Sequence, residues 1–164
     1  MLGTGIDITK VGSKNPGFNN VLRVSSKWRA AIVLAGDISK GYLALWLLGP
    51  APPLMPPWLA VIAPVAGHCW SPWLRFNGGK GVATAVGVLF YMDPLITIAC
   101  LPLYPILRFI GRKAGWRQEG AIASMSTMLL IAVIVREPYA YAMFLIVVIR
   151  HIPNLREIMA AKRE

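Results

Sequence analysis

The sequence predicts an all-α integral membrane protein: a polytopic bundle of about six transmembrane helices, some short, with cytoplasmic loops forming the site. Three observations carry that prediction. Hydrophobic residues make up 56% of the 164 and charged residues only 15%, against roughly 45–50% and about 25% in soluble domains. The mean hydropathy is +0.57. Apolar runs separated by proline and glycine recur along the chain, and basic residues gather at alternate breaks between them. The 17 Lys and Arg against 7 Asp and Glu give a net charge of +10, which in a soluble protein would suggest nucleic acid. In a chain this apolar the excess reads as an orientation signal, and no nucleic-acid partner is expected. Cys69 and Cys100 are the only cysteines and both sit in apolar runs, which excludes a disulfide scaffold. Intrinsic disorder is excluded by the hydrophobicity.

The segment from Met1 to Arg29 is polar and basic and lacks the apolar core of a signal peptide. Ala30–Leu48 is the first apolar run, closed by Gly49 and Pro50. The proline-rich stretch from Pro50 to Pro57 cannot propagate a helix and reads as an external loop. Trp58–Leu74 follows, with Trp58, Trp70 and Trp73 near its ends, where indoles favour the headgroup region. Val82–Tyr91 and Leu95–Leu107 are each shorter than the ~20 residues that span a bilayer upright, and meet at the turn signal Met92-Asp93-Pro94. A single kinked crossing would put Arg108, Arg112, Lys113 and Arg117 opposite Lys80; two short crossings put every basic cluster on one side, as the positive-inside rule prefers. Gly120–Val135 and Tyr139–Ile149 form the last pair, joined at Arg136-Glu137-Pro138. Six crossings place both termini in the cytoplasm, and all but Lys40 and Arg136 of the 17 basic residues on the cytoplasmic face. No repeat, low-complexity tract or linker marks a second domain, so residues 1–164 read as one domain.

Four constellations stand out. Between Gly12 and Arg23, glycine, proline and asparagine disfavour a regular helix, and Ser13, Asn15, Asn20 and Arg23 are donors suited to phosphate oxygens. The same residues would equally serve a juxtamembrane loop on lipid headgroups, through Lys14 and Arg23. Asn77-Gly78-Gly79-Lys80-Gly81 opens a helical run, and a glycine-rich turn at a helix start presents N–H groups and a positive dipole end to an anion. It lacks the spacing and hydroxyl of a Walker A loop. Arg150, His151, Asn154 and Arg156, where the last span meets the cytoplasm, are more donors than anchoring needs. Asp37 and Lys40, three apart inside the first span, can pair with each other, and His68 is also intramembrane. The sequence offers no Ser/His/Asp triad, no pair of acids and no metal-ligand spacing. The H-x-x-x-x-D pattern of many acyltransferases is absent, since Trp73 follows His68 and Arg156 follows His151 at the acid position.

These motifs, in this order, resemble the bacterial acyl-phosphate:glycerol-3-phosphate acyltransferases of the PlsY type. The resemblance runs from Gly5 to Gly17, through Asn20-Val21-Leu22-Arg23, Asp37 to Gly41, Gly67-His68 and Phe76 to Ala85, and closes on Arg150-His151 and Asn154. It implies an enzyme of phospholipid synthesis in the inner (plasma) membrane, its active site and C-terminus cytoplasmic. Acyl transfer from acyl phosphate to the 1-hydroxyl of glycerol 3-phosphate would give lysophosphatidic acid and phosphate, with no cofactor, no metal and no partner protein. It further implies catalytic roles for Lys80, Ser13 and His151. Substrate or phosphate binding would fall to Asn15, Asn20, Arg23, Gly78, Gly79, Gly81, His68, Arg150 and Asn154. An acyl phosphate is an activated anhydride, so positioning, worth roughly 7–11 kcal/mol, and charge stabilisation by Lys80 could serve without a protein nucleophile. The chain departs from the family pattern in three places. The family's first helix is expected to be missing upstream of residue 1. Lys14, Phe18 and Asn19 stand where small residues are usual, with Phe18 expected to crowd the phosphate loop; Ala121 replaces the first of a serine pair whose second is Ser124. The competing reading is a non-catalytic membrane protein that binds anionic lipid or lysophospholipid through the same donors. A small transporter fits less well, because the polar groups collect at one face rather than at mid-membrane.

Overall fold

The computed structural model describes residue 5, residues 7–49 and residues 56–160. Within them every regular element is helical: α1 (Phe18–Val24), α2 (Lys27–Leu48), α3 (Pro57–Cys69), α4 (Val82–Met92), α5 (Pro94–Cys100), α6 (Leu103–Lys113), α7 (Glu119–Val135) and α8 (Pro138–Ala160), with a 3₁₀ turn at Pro72–Leu74. At a rise of about 1.5 Å per residue, the 22 residues of α2 are long enough for a hydrocarbon core of about 30 Å. Helices α5 and α6 continue one another as a second apolar stretch, Pro94–Lys113. The chain turns slightly between them at Leu101 and Pro102, because Pro102 brings no N–H to the ladder.

The predicted breaks fall where the sequence put them. Gly49, with φ +72°, closes α2 by donating its N–H to Leu45 O. Asp93 separates α4 from α5, with Pro94 in the first turn. Arg136 ends α7 in the left-handed region and Pro138 opens α8. The Tyr139 hydroxyl donates to Asp93 Oδ2 at 2.6 Å, tying those two turns together. Residues 50–55 of the expected external loop lie outside the described residues.

Three expectations about helix ends need correction. The run read as Trp58–Leu74 stops being α-helical at Cys69 and finishes in the 3₁₀ turn, where Trp73 is 90% exposed. The segment from Gly12 to Arg23, expected to lack regular helix, is irregular only to Gly17; Asn20 and Arg23 belong to α1. Most consequentially, α8 does not end near Ile149. It continues through Pro153 to Ala160, so Arg150, His151, Asn154 and Glu157 are helical. Tertiary packing of His151 and Asn154, both buried, overrides the proline.

Helix α4 is the centre of the bundle: Thr84 to Leu89 are all buried. Its Ala85, Val88 and Leu89 join Leu45 of α2, Val61 and Val65 of α3, Met128 and Ile131 of α7, and Met143 and Val147 of α8 in one apolar core. Against α2 the contact is backbone to backbone. A Cβ placed on Gly41 would meet the Thr84 carbonyl oxygen, and one on Gly87 the Ile38 carbonyl oxygen. Small residues at this crossing substitute for the hydrophobic drive that helices lack in lipid. On the outside, Trp46, Leu47, Leu48, Leu95 and Leu145 are more than half exposed, an apolar surface suited to acyl chains.

Gly87→Ala should therefore cost about 1–3 kcal/mol by overpacking, seen as a lower melting temperature in detergent. Gly36→Ala, on the partner helix α2 where the added methyl meets open space, should be neutral or slightly stabilising. Equal melting temperatures for the two variants would disprove the close crossing.

Candidate active site

The N-terminal loop is organised by one side chain. Asn20 is fully buried on α1; its oxygen accepts the Ser13 N–H at 2.8 Å and its amide donates to Ile8 O at 3.1 Å and Val11 O at 2.9 Å. All three bonds are internal, and Asn20 lines neither cavity described below. Its polar groups hold the loop, and its neighbours are left facing open space. Ser13, Lys14, Asn15 and Arg23 face a polar cavity of about 470 Å³.

Across that cavity lies the glycine-rich turn. The N–H groups of Gly78 and Gly79 cap the end of α3, bonding to Cys69 O at 3.1 Å and His68 O at 3.2 Å. Their carbonyls accept Arg150, from Nη2 to Gly78 O at 2.8 Å and from Nε to Gly79 O at 3.1 Å. Thus these two glycines turn their amides to the fold and pack the turn onto His68, whose ring occupies the space a Gly79 side chain would need. The cavity-lining positive groups of the motif are instead Lys80 and the start of α4. There Gly81 adopts φ +80° as N-cap, and Val82, Ala83 and Thr84 have the unpaired N–H groups of any first helical turn.

Lys80 stands between two cavities. Asn15 and Lys80 line both the polar one and an apolar one of about 300 Å³. Leu34, Ile38, Val86 and Met128 supply apolar walls of the second, with His68, His151 and Asp37 among its polar groups. Phe18, expected to crowd the phosphate loop, lines this apolar cavity instead. Lys80 Nζ donates to Asn154 Oδ1 on α8. Burial pushes the Lys80 ammonium down to about 8; Glu157 opposes the shift, and Arg150 and Arg23 add to it.

The two histidines are held differently. His151 Nδ1 lies 2.7 Å from Val147 O. A carbonyl only accepts, so Nδ1 carries a proton and Nε2 is the free lone pair of the neutral ring. His68 Nδ1 lies 3.6 Å from Asp37 Oδ1, which also accepts Lys40 Nζ at 2.9 Å. The expected Asp37–Lys40 pair is therefore present, and its acid additionally reaches a site histidine, which the sequence did not reveal. Two further residues escaped the sequence: Gln118 and Glu157, both lining the polar cavity. Glu157 is signalled by its three-residue spacing to Asn154 only where α8 runs past Pro153; Gln118, a left-handed N-cap of α7, carries no sequence signal. Asn19 accepts Tyr104 Oη at 3.1 Å and Arg108 Nη1 at 2.6 Å, tying α1 to α6. Ser124 lines the apolar cavity while donating to Gly120 O at 2.7 Å.

The arrangement can hold an anion among Lys80, Arg23, Ser13 and Asn15 while an apolar chain extends between helices. Comparison with known proteins agrees. The family model described as glycerol-3-phosphate acyltransferase matches residues 1–161. A glycerol-3-phosphate acyltransferase of Cupriavidus taiwanensis is 36% identical over 158 residues, covering 92% of this chain and 78% of that protein. One of Burkholderia orbicola is 35% identical over 163 residues, covering 95% and 78%. Among solved structures, PlsY, an integral membrane glycerol 3-phosphate acyltransferase, aligns in its glycerol 3-phosphate form. The TM-score is 0.77 at 25% identity, over 96% of this chain and 80% of that one. Its lysophosphatidic acid form aligns with a TM-score of 0.74. With both its motifs and its helical frame matched, the chain belongs to the glycerol-3-phosphate acyltransferase family.

Proposed function

We propose that this membrane acyltransferase moves a fatty acyl group from acyl phosphate to the 1-hydroxyl of glycerol 3-phosphate, producing lysophosphatidic acid and inorganic phosphate. The single observation that carries the reading is the junction at Lys80 and Asn15 of a polar cavity with an apolar one. That junction suits a reaction between a phosphate-bearing polyol and an acyl chain. The charge pattern supports six crossings in the inner (plasma) membrane, with the site and the C-terminus cytoplasmic. Glycerol 3-phosphate, acyl phosphate and the surrounding lipids are the only partners this reading needs, and the residues themselves supply its chemistry.

In this mechanism Ser13, Asn15 and Arg23 bind phosphate oxygens from one wall of the polar cavity, and Lys80 from the other. Asn20 positions that first wall, and Arg150 with Gly78 and Gly79 positions the second. The glycerol hydroxyl oxygen adds to the acyl carbonyl carbon. Its proton passes to a phosphate oxygen of the substrate, and the bond from acyl carbon to phosphate oxygen breaks with the electron pair leaving on phosphate. Lys80 and the free N–H groups at the start of α4, including Gly81's neighbours, stabilise the charge that develops. His151, with its Nε2 lone pair free, and Asn154 orient the acceptor, and His68 borders the acyl side.

Purified protein should release inorganic phosphate only when acyl phosphate and glycerol 3-phosphate are both supplied. Release without glycerol 3-phosphate would identify a hydrolase; none, with lysophospholipid still bound, would identify a binding protein. Lys80→Ala should lower kcat/KM by at least about a hundredfold, the scale of losing one preorganised charge donor, with the protein still inserted. Wild-type turnover by that variant would remove Lys80 from the mechanism.

The pH dependence follows from the lowered Lys80. Its charge is complete well below about 8 and is lost as pH rises through that value. Because bound phosphate favours the ammonium, KM for glycerol 3-phosphate should rise above about pH 8 while kcat holds to higher pH. A pH-independent KM between about 6.5 and 9.5, in steady-state assays, would contradict this.

A further inference from the structure

Glu157 is the one carboxylate among the described residues that line the polar cavity. It lies three residues beyond Asn154 on α8, so the two share a helix face. Gln118, at the N-cap of α7, stands between them: Asn154 Nδ2 donates to Gln118 Oε1 at 2.6 Å, and Gln118 Nε2 donates to Glu157 Oε2. With Lys80 Nζ donating to Asn154 Oδ1, an unbroken chain runs from ammonium to carboxylate across three elements. The direction of every bond is forced, because an ammonium only donates and a carboxylate only accepts. Both amides consequently point their oxygens toward Lys80 and their nitrogens toward Glu157, and aligned dipoles of this kind reinforce one another.

The charges around Lys80 make that acid consequential. Arg23 on α1, Lys14 in the loop before it and Arg150 on α8 line the same polar cavity with like sign. His151 faces the apolar side together with His68 and Asp37, and Asp37 is already engaged by Lys40. We propose that Glu157 is a positioning residue for Lys80: through Gln118 and Asn154 its carboxylate pins the ammonium at the junction of the two cavities, then yields it to the phosphate of the incoming substrate. The identity of that substrate rests on the acyltransferase reading; the resting arrangement does not. Burial disfavours the Lys80 charge, and Glu157 is the group that counters it. The same carboxylate repels an arriving phosphate, so its removal has opposite consequences below and above the Lys80 titration.

The test uses the substrate-free protein in detergent. Amine-reactive labelling across about pH 6 to about pH 10, with Lys80 quantified by peptide mass spectrometry, should show E157Q titrating at lower pH than wild type. Labelling near pH 7.5 should roughly double, the change that about half a pH unit produces near a midpoint. E157D, which retains the charge, should restore the wild-type curve, and the exposed Lys10 serves as an unmoved reference. In turnover assays, E157Q should lower KM for glycerol 3-phosphate near pH 6.5 and raise it near pH 8.5, crossing the wild-type profile. Gln118→Ala, which breaks the relay but keeps both charges, should raise KM at both pH values. Superimposable Lys80 titrations for wild type and E157Q overturn the proposal. A shifted titration in a protein that releases no phosphate from the two substrates upholds it and overturns the acyltransferase reading instead.

Discussion

The approach of α2 to α4 at Gly41 and Gly87 sets the geometry on which the rest of the molecule depends. With main chains in contact there, α4 is fixed at the centre of the bundle, and the loop that starts it cannot shift without moving the core. That loop carries Lys80. The α2 side of the crossing carries Asp37, one turn before Gly41, and thereby places it beside His68. A contact between main chains thus determines where the charged groups stand. In a lipid environment this is the economical solution, because van der Waals packing of small residues is among the few forces that join apolar helices.

Around this frame the polar residues divide into those that build and those that remain available. Asn20 and Arg150 look like ligands by type, yet their hydrogen bonds hold the N-terminal loop and the glycine turn. Their work leaves Ser13, Asn15, Arg23 and Lys80 facing open space. On the proposed mechanism such preorganisation matters, because a catalytic donor gains most when it need not reorganise as charge develops. Loss of Asn20 or Arg150 would accordingly be felt at Lys80.

Much of the fold was legible in the sequence, and the reasons are local. Pro94, Arg136-Glu137-Pro138 and Gly49 end helices through backbone chemistry that needs no partner, so their positions could be read directly. The turn signal at Met92-Asp93-Pro94 was local in the same way, and the structure breaks there at Asp93. What stayed hidden was set by contacts distant in sequence. Pro153 ordinarily signals a helix end, but buried His151 and Asn154 carry α8 past it. The glycine turn advertised an anion cradle, whereas the amides of Gly78 and Gly79 close onto α3. Gln118 matters only because α7 begins beside Asn154, and no spacing in the sequence encodes that neighbourhood. The motifs named residues that the fold brings together around two cavities; the allocation of each hydrogen bond depends on the three-dimensional packing.

The meeting of a polar and an apolar cavity at one lysine has a kinetic meaning. On the proposed chemistry, the acceptor arrives from water and the donor's chain resides in lipid, so the two are counted on different scales. One is moles per litre of solution, the other a mole fraction of the bilayer. Adding inert lipid at fixed total donor would dilute one substrate and leave the other untouched. The rate of such an enzyme is then partly a property of membrane area, and growth of the membrane would itself thin out the donor available to each site.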